Sequence, residues 1–431
     1  MSSTKPSRSR REFITQAAAL GGSAALGLPP LAMPQAVAGA ATTPWGWPEP
    51  YQKVSPESVA WLKSKGWWPL KIAWNPLWSD GNVVVFAMKH FELMARRGLE
   101  VQYPQILAAG LMNEVFIPGK LQIAQAGSLG LLRLIDLRIP TAALCTYPAQ
   151  RQAFLVHPDS PLKGGMSALK GAKVLGRPAV CGVTIGSTNH LGLIICAKVL
   201  GLVEGRDYVI SNMGPGEIIT MPKGVDVTGI WEPNVLYMTD YLKNARILEL
   251  IDRYEIFNGY SYARGEIAEH APDVLQAYTD AFVEAQMLCR ARTDEVLDAL
   301  VKDPSQKGRS PELIRQDAQI NLLDPKPTIN YPFRDLHGFW ARLEAYQANV
   351  MHDAGVLQHS YTPDEYLRVI QGRFMARTYA KVGWKVPTWP PFLPDGWTGR
   401  VGHPPYPPYG LMYMGKQSFP GPGDLVAGAH A

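Results

Sequence analysis

Three short polar side chains in a row are the feature of this sequence most able to bind a ligand. Ser187, Thr188 and Asn189 follow a glycine turn in the stretch GVTIGSTNHLG, which is typical of a strand end, a tight turn and a helix start. A helix start exposes unpaired N–H groups and the positive end of the helix dipole, and can therefore bind an anion or a polar ligand head. The same residues also suit an ordinary N-cap, in which Ser187 or Thr188 accepts a hydrogen bond from its own helix.

Cysteine chemistry is the next candidate, and the spacing of the cysteines does not favour it. The four cysteines are Cys145, Cys181, Cys196 and Cys289, and none has metal-ligand spacing. Cys181 precedes the polar turn and Cys196 follows it, so a strand packed on a helix could bring them together as a disulfide or as two buried thiols. No catalytic constellation stands out, and we expect no metal and no cofactor.

The elements that must position the polar turn alternate between strand and helix. Apolar strands such as LKIAW, LQIAQAG, AKVLG and VDVTGIW are separated by helices, one of them predicted from Asn82 to a C-cap at Gly98. This alternation indicates an α/β fold with mostly parallel sheets flanked by helices. After about Glu266 the chain is predicted to be helical. Residues 41–69 are predicted to be an irregular lead-in, and 381–431 a proline-rich C-terminal extension.

Composition excludes some classes of protein. The apolar share of 46% and the charged share of 18% are those of a globular chain, and 431 residues suffice for two lobes. The formal net charge is +5, of which residues 1–40 carry +3, which leaves +2 for the remainder. A charge so close to zero gives no reason to expect nucleic acid or an anionic membrane surface as a partner.

Residues 1–40 are predicted to be a Tat signal peptide. The segment SRREFIT contains Arg10 and Arg11, the apolar stretch AAALGGSAALGL follows, and AVAGAA offers small-residue cleavage sites. The apolar stretch is too short to cross a bilayer. We therefore expect export to the periplasm by the Tat pathway and a mature chain that does not span the membrane.

In this order the elements resemble the solute-binding proteins of ABC importers, of the nitrate, sulfonate and taurine type, which are related to thiamin-pyrimidine binding proteins. The resemblance covers roughly Lys71 to Leu367. It rests on the stretches KIAWNPLWSDGN, GKLQIAQAGSLGLL, LKGAKVLGRPAVCGVTIGSTNHLGL and VDVTGIWEP. Two features depart from the family: the helix between the third and fourth stretches is short, and the C-terminal extension has no counterpart.

The resemblance implies a two-lobed periplasmic-binding-protein type II fold, each lobe a mostly parallel sheet flanked by helices, with a ligand cleft between the lobes. Lobe one would comprise 70–155 and 260–380, and lobe two 156–259. The chain would leave lobe one near Phe154–His157 and return near Asn258–Ala263. Ligands of open α/β sheets lie beyond the carboxyl ends of the strands, where the polar turn also lies.

The resemblance also implies a set of ligand-binding residues. Ser128, Ser187 and Thr188 match family positions that donate hydrogen bonds to ligand oxygens. The tryptophans would be flat apolar walls or core residues. A cleft carboxylate would oppose a bare anion, and Asp80 also suits a cap for the helix near Asn82 or a contact with a ligand amine. The full set is Trp74, Asn75, Trp78, Asp80, Gly127, Ser128, Ser187, Thr188, Asn189, Trp231 and Glu232.

The function implied by the resemblance is capture without chemistry. The chain would bind a small organic solute, such as a sulfonate or carboxylate, and deliver it to an ABC permease with its ATPase. The alternatives are a desulfinase-like or pyrimidine-synthesis-like enzyme on the same fold, and a periplasmic ligand sensor. The loop from Trp74 to Gly81 contains no cysteine and no histidine, which favours binding over catalysis.

The twin arginines generate the first testable prediction. Replacing both Arg10 and Arg11 with lysine should trap the precursor in the cytoplasm, because the Tat pathway reads this pair. Fractionation and immunoblotting of the precursor and mature forms give the measurement. An unchanged periplasmic yield in a strain that can export the protein only by Tat would contradict the prediction.

Overall fold

The computed structural model describes residues 41–76, 79–107, 109–147, 152–255, 259–318, 339–383 and 404. The predicted signal peptide and nearly all of the predicted C-terminal extension lie outside the described residues. No helix in these ranges is both long enough and apolar enough to cross a membrane.

Ten strands lie within the described ranges. They are β1 (Leu70–Lys71), β2 (Val101–Gln102), β3 (Ile123–Gly127), β4 (Thr141–Tyr147), β5 (Gln152–Val156), β6 (Ala179–Val183), β7 (Tyr208–Asn212), β8 (Val227–Trp231), β9 (Arg246–Leu250) and β10 (Gly259–Arg264).

Helices follow most of the strands and dominate the C-terminal part. They are α1 (Pro56–Ser64), α2 (Ser79–His90), α3 (Ala109–Phe116), α4 (Ser128–Asp136), α5 (Thr188–Leu200), α6 (Pro215–Ile218), α7 (Asn234–Leu236), α8 (Gly265–His270), α9 (Pro272–Ala291), α10 (Thr293–Lys302), α11 (Pro311–Ala318), α12 (Phe339–Asp353), α13 (Pro363–Leu367) and α14 (Arg373–Lys381).

The strands form two larger sheets, each with a single reversed strand. The first has the order β3-β10-β4, and the parallel pair β1-β2 joins it through a parallel bridge between Ile72 and Ile123. The second has the order β7-β6-β8-β5-β9. Strand β10 runs antiparallel to both of its neighbours, and so does β5. All the other strands of each sheet therefore point the same way, which places their carboxyl ends along one edge.

The chain passes from one sheet to the other twice, between β4 and β5 and between β9 and β10. The two reversed strands are therefore the first strands that the chain enters after each passage. Strand β5 is buried on both faces, because Phe154 and Val156 pack with one apolar cluster while Ala153 and Leu155 pack with another. The passage between the sheets is thus anchored in the middle of the second sheet.

Three details of the predicted elements are wrong. The lead-in is not irregular throughout, because it contains α1, which Ser55 caps by accepting a hydrogen bond from the N–H of Ser58. The helix predicted from Asn82 to Gly98 begins at Ser79 and ends at His90, and Gly98 instead ends a short 3₁₀ turn with a φ of 82°. The segment AKVLG is a turn rather than a strand.

A buried ion pair holds the lead-in against the core. The guanidinium of Arg97 donates to Glu284 over 2.7 Å, and these two side chains are only 2% and 0% exposed. The same carboxylate accepts hydrogen bonds from the indole of Trp45 at 3.0 Å and from the hydroxyl of Tyr51 at 2.6 Å. The ring of Trp47 lies 4.9 Å from the guanidinium carbon of Arg97. One buried carboxylate therefore joins three segments of the chain.

Removing this carboxylate should strongly destabilise the fold. Glu284→Ala leaves the guanidinium of Arg97 buried without its charge partner, which typically costs about 3–5 kcal/mol of unfolding free energy. Urea denaturation followed by circular dichroism measures the change. The matched control is Asp298→Ala, which breaks an exposed ion pair with Arg315 and should leave the midpoint almost unchanged. Equal midpoints for the two variants would contradict the role given to Glu284.

Candidate ligand-binding site

The polar turn between β6 and α5 is a helix cap, as one interpretation of the sequence predicts. Gly186 has a φ of 78°, and Ser187 is the N-cap, accepting a hydrogen bond from the N–H of His190 at 3.4 Å. The hydroxyl of Ser187 also lies 2.6 Å from the carbonyl of Thr184 and contacts the side-chain amide of Asn189. Capping accounts for Ser187 but not for the buried amide of Asn189.

Buried polar atoms without a hydrogen-bond partner mark three helix starts. They belong to Asn82 in the first turn of α2, to Ser128 at the start of α4 and to Asn189 in the first turn of α5. All three residues are buried, with 0% of their surface exposed. Native proteins pair almost all of their buried polar groups, so each exception calls for a cause. A ligand that completes these hydrogen bonds is one such cause.

Each of the three helix starts lies at the carboxyl edge of its own sheet. Helices α2, α4 and α5 follow strands β1, β3 and β6, each at the carboxyl end of its strand. The N–H of Ala73 donates to the carbonyl of Ile123 at 2.9 Å, which fixes β1 beside β3. Apolar residues of α4, α5 and α12 pack in a single cluster, so the starts of α4 and α5 lie on helices with a common core.

A buried polar chain connects the start of α5 with the passage between the sheets. The hydroxyl of Thr188 donates to Gln152 over 3.2 Å, and the side-chain amide of Gln152 faces Glu255 at 3.5 Å. Gln347 on α12 donates to the same carboxylate at 2.9 Å. Gln152 is the first residue of β5, and it pairs with Trp231 at the end of β8. The chain of contacts therefore runs from the helix start through both segments that join the sheets.

The remaining predicted residues lie at or just after the carboxyl ends of β1, β3 and β8. The indole N–H of Trp74 is buried without a partner, and the side-chain amide of Asn75 donates to the carbonyl of Leu107 at 3.0 Å. Gly127 is the N-cap of α4, and Trp231 is half-buried. Glu232 is fully buried and accepts a hydrogen bond from the N–H of Leu236 at 2.9 Å.

For two residues of the predicted set, Trp78 and Asp80, the structure does not describe the side chain. Trp78 lies outside the described residues. Asp80 is the second residue of α2, and its side chain also lies outside the described part of the chain. The sequence suggested that Asp80 could cap a helix starting near Asn82. Because α2 begins at Ser79, Asp80 instead lies inside the first turn and is not the cap.

Glu344 is a buried carboxyl that the sequence analysis missed. It lies on α12, is 1% exposed and accepts a hydrogen bond from the hydroxyl of Tyr260, while its second oxygen has no partner. Burial raises the pKa of Glu344 to about 8, although the hydrogen bond from Tyr260 acts in the opposite direction. A glutamate on the apolar face of a helix, between Trp340 and Gln347, is the signal that could have identified it.

Neither thiol nor metal chemistry is supported by the described residues. All four cysteines are free and buried, including Cys181 and Cys196. Burial raises the pKa of every thiol, to about 12 for Cys145 and Cys289, so none is an ionised nucleophile at neutral pH. No group of three or more His, Cys, Asp or Glu in the described ranges could hold a metal ion.

His190 is neutral at the polar turn. Its Nδ1 accepts a hydrogen bond from the N–H of Gly186 at 3.2 Å, which places the proton of the neutral ring on Nε2. Burial lowers the pKa of His190 below its ordinary value of 6.5. The folded protein therefore resists protonation of this ring more strongly than the unfolded chain does.

This difference predicts a pH-dependent stability. The contribution of the neutral His190 ring to the unfolding free energy is complete above about pH 6.5, where the ring is neutral in both the folded and the unfolded chain. It is lost as the pH falls, because the unfolded chain binds the proton more readily. His190→Asn keeps an acceptor for Gly186 and removes the titration. Chemical denaturation between pH 7 and pH 5 should show a steeper loss of unfolding free energy in the wild type. His157→Asn, at a largely exposed ring, is the control, and parallel curves for wild type and His190→Asn would contradict the prediction.

Comparison with known proteins supplies a fold but no sequence relative. No protein-family model matches the sequence, and no curated protein sequence matches it. Solved structures do match. The periplasmic aliphatic sulphonate-binding protein SsuA of Escherichia coli has 18% identity and a TM-score of 0.58, and the match covers 71% of this chain and 98% of SsuA.

Two further structures support the same architecture. The periplasmic nitrate-binding protein NrtA of Synechocystis PCC 6803 has 15% identity and a TM-score of 0.57, over 72% of this chain and 87% of NrtA. A Candida albicans protein described as having the generic periplasmic binding protein fold has 14% identity and a TM-score of 0.50, over 70% of this chain and 96% of its own. The predicted fold is therefore confirmed: the chain has the periplasmic-binding-protein fold found in these sulfonate- and nitrate-binding proteins.

Proposed function

We propose that the chain is a periplasmic solute-binding protein that captures a small organic molecule with a polar head and delivers it to an ABC permease with its ATPase. The observation that carries this proposal is the set of buried, unpartnered polar atoms of Asn82, Ser128 and Asn189. They belong to three helix starts at the carboxyl edges of the two sheets, in a fold shared with sulfonate- and nitrate-binding proteins.

The energetics favour a ligand at these atoms. A buried polar group without a partner typically costs about 1–3 kcal/mol of unfolding free energy, so three such groups destabilise the folded protein substantially. A bound ligand would satisfy them at the positive ends of three helix dipoles. The burial of these side chains is then the consequence of a site shaped to exclude water from a bound molecule.

The buried carboxyl group of Glu232 argues for an organic ligand over a small bare anion. It lies directly after β8 and has no exposed surface. A carboxylate near a bare inorganic anion raises its free energy in a site of low polarity. The buried indole of Trp74, with its unpartnered N–H, suits a ligand that has an apolar body.

Capture would proceed by hinge closure. The chain passes between the sheets twice, so two short segments would act as the hinge between a lobe that holds the first sheet and a lobe that holds the second sheet, including β5. Ligand bridging the start of α4 and the start of α5 would stabilise the closed arrangement, and the population would shift towards it. The closed surface is the form that a permease would recognise.

Export and the absence of catalysis complete the proposal. The twin-arginine segment of residues 1–40 supports Tat-dependent transfer to the periplasm. The raised pKa of the four buried thiols counts against a cysteine-dependent reaction such as desulfination. We therefore propose binding and delivery as the whole activity of the chain.

Ser128 offers a sharp test, because its hydroxyl is fully buried and has no partner in the protein. Mature protein is first screened by thermal shift against sulfonates, aromatic carboxylates, nitrate, amines and pyrimidines. For a compound that binds, Ser128→Ala should weaken the affinity about threefold to tenfold through loss of one hydrogen bond. The same variant should unfold at the wild-type denaturant concentration or above it.

Calorimetry and urea denaturation of the same preparations give the two measurements. Ser64→Ala is the matched control, since Ser64 is an exposed serine at the end of α1. Lower stability with unchanged affinity would assign Ser128 to the core and contradict the proposal. Failure of every compound class to bind would contradict it as well.

A further inference from the structure

The polar turn at the start of α5 has a definite hydrogen-bond polarity. We propose that its side chains present acceptors to the ligand, so that the ligand group bound there carries N–H or O–H donors, as an amide or amine does. This inference rests on the proposed binding function and deepens it by naming the chemistry of the ligand. Ser187 and Gln152 are the positioning residues that fix the polarity.

The first step concerns the single proton of the Ser187 hydroxyl. Its oxygen lies 2.6 Å from the carbonyl oxygen of Thr184, and it makes a second close contact with the side-chain amide of Asn189. A carbonyl oxygen can only accept, so the hydroxyl proton goes to Thr184. The contact with Asn189 then needs a proton from Asn189 itself.

The second step follows for the amide of Asn189. The oxygen and nitrogen of an asparagine amide are nearly isosteric, and the hydrogen-bond network decides which of them faces a neighbour. With the Ser187 proton committed to Thr184, two oxygens in close contact would repel. In the structure the amide oxygen faces Ser187 and the amide nitrogen is the buried atom without a partner; turning the amide by 180° gives Ser187 a donor and leaves the oxygen as the unpartnered atom. Asn189 has no exposed surface, so this acceptor lies in the interior of the site.

The third step concerns Thr188. Its hydroxyl lies 3.2 Å from Gln152, and the other end of the Gln152 amide faces the carboxylate of Glu255. A carboxylate accepts hydrogen bonds, and Gln347 donates to the same group at 2.9 Å. The amide nitrogen of Gln152 therefore points at Glu255, and its oxygen accepts the proton of Thr188. The hydroxyl oxygen of Thr188 can therefore only accept a hydrogen bond from a ligand.

Together these steps reverse the simplest expectation for the turn. A run of Ser, Thr and Asn suggests side-chain donors for an anion, yet Thr188 and Asn189 offer oxygen lone pairs. The backbone N–H groups of the helix start remain the donors of this turn. A ligand group with an acceptor beside an N–H, such as a primary amide, satisfies both kinds of atom. A sulfonate or a carboxylate satisfies only the backbone donors.

Matched probe pairs test the proposal. The pairs are propanoate with propanamide, benzoate with benzamide, and ethanesulfonate with ethanesulfonamide, each titrated calorimetrically into the mature protein. The amide of at least one pair should bind about tenfold or more tightly than its acid, the effect of roughly one hydrogen bond. Tighter binding of the acids would overturn the inference and leave the proposed binding function standing. Binding of neither series would overturn both.

Gln152→Met provides the second arm. It removes the acceptor that takes the proton of Thr188, so the hydroxyl becomes able to donate to an anion. The preference for the amide should fall about tenfold. A loss of stability alone would weaken both members of a pair equally and would not move this ratio. An unchanged ratio in folded Gln152→Met would overturn the role of Gln152.

Variants of Thr188 keep the test decisive if Gln152→Met does not fold. Thr188→Ser retains the hydroxyl and should keep the wild-type ratio of amide affinity to acid affinity. Thr188→Val removes the acceptor and should lower this ratio. Thr228→Val is the matched control, because Thr228 is a fully buried threonine of β8 whose hydroxyl contacts the sulfur of Met221. Equal ratios in Thr188→Val and Thr228→Val would overturn the inference.

Discussion

The unpaired N–H groups of a helix start are the constraint on which this fold depends. A parallel strand that feeds a helix delivers that helix start to the carboxyl edge of the sheet, and several such units deliver several starts to one edge. Here the first sheet places α2 and α4 in this way and the second sheet places α5, and each helix carries a buried side chain whose polar atom has no partner in the protein. Local side chains also cap some helix starts, as Ser55 does for α1 and Ser187 does for α5.

The proposed hinge would act next to the two reversed strands. Strands β5 and β10 each lie between two antiparallel neighbours. The polar contacts among Thr188, Gln152 and Glu255 cross this region and reach α12 through Gln347. These contacts connect the start of α5 with Gln152 and Glu255, which lie next to the two passages between the sheets.

The sequence predicted the sheets and the helices that follow them because buried strands and amphipathic helices have different periods. It failed where local signals conflicted. The proline- and tryptophan-rich lead-in concealed α1, although Ser55 followed by Pro56 is a typical helix start. AKVLG has strand composition, yet Gly171 just before it and Gly176 at its end adopt positive φ angles of 71° and 70° and keep it in a turn.

The candidate site was predicted as a location, and its hydrogen-bonding chemistry was not. Ser128, Thr188 and Asn189 were named from their place at strand ends, but residue types cannot tell which atom of a hydroxyl or amide faces a ligand. That depends on partners far away in sequence, such as Gln152 for Thr188. Asn82 and Glu344 were missed for a related reason, since each lies in an apolar stretch and becomes notable only when its burial is known.

The central claim is that one ligand completes the hydrogen bonds of the three helix starts. A crystal structure of the mature protein with a compound that binds it tests this claim most directly. The account predicts ligand atoms within hydrogen-bond distance of Asn82, Ser128 and Asn189. Ligand bound elsewhere would contradict it, for example in the surface cavity of about 710 Å³ beside Lys89 and Glu295, with the three helix starts unchanged.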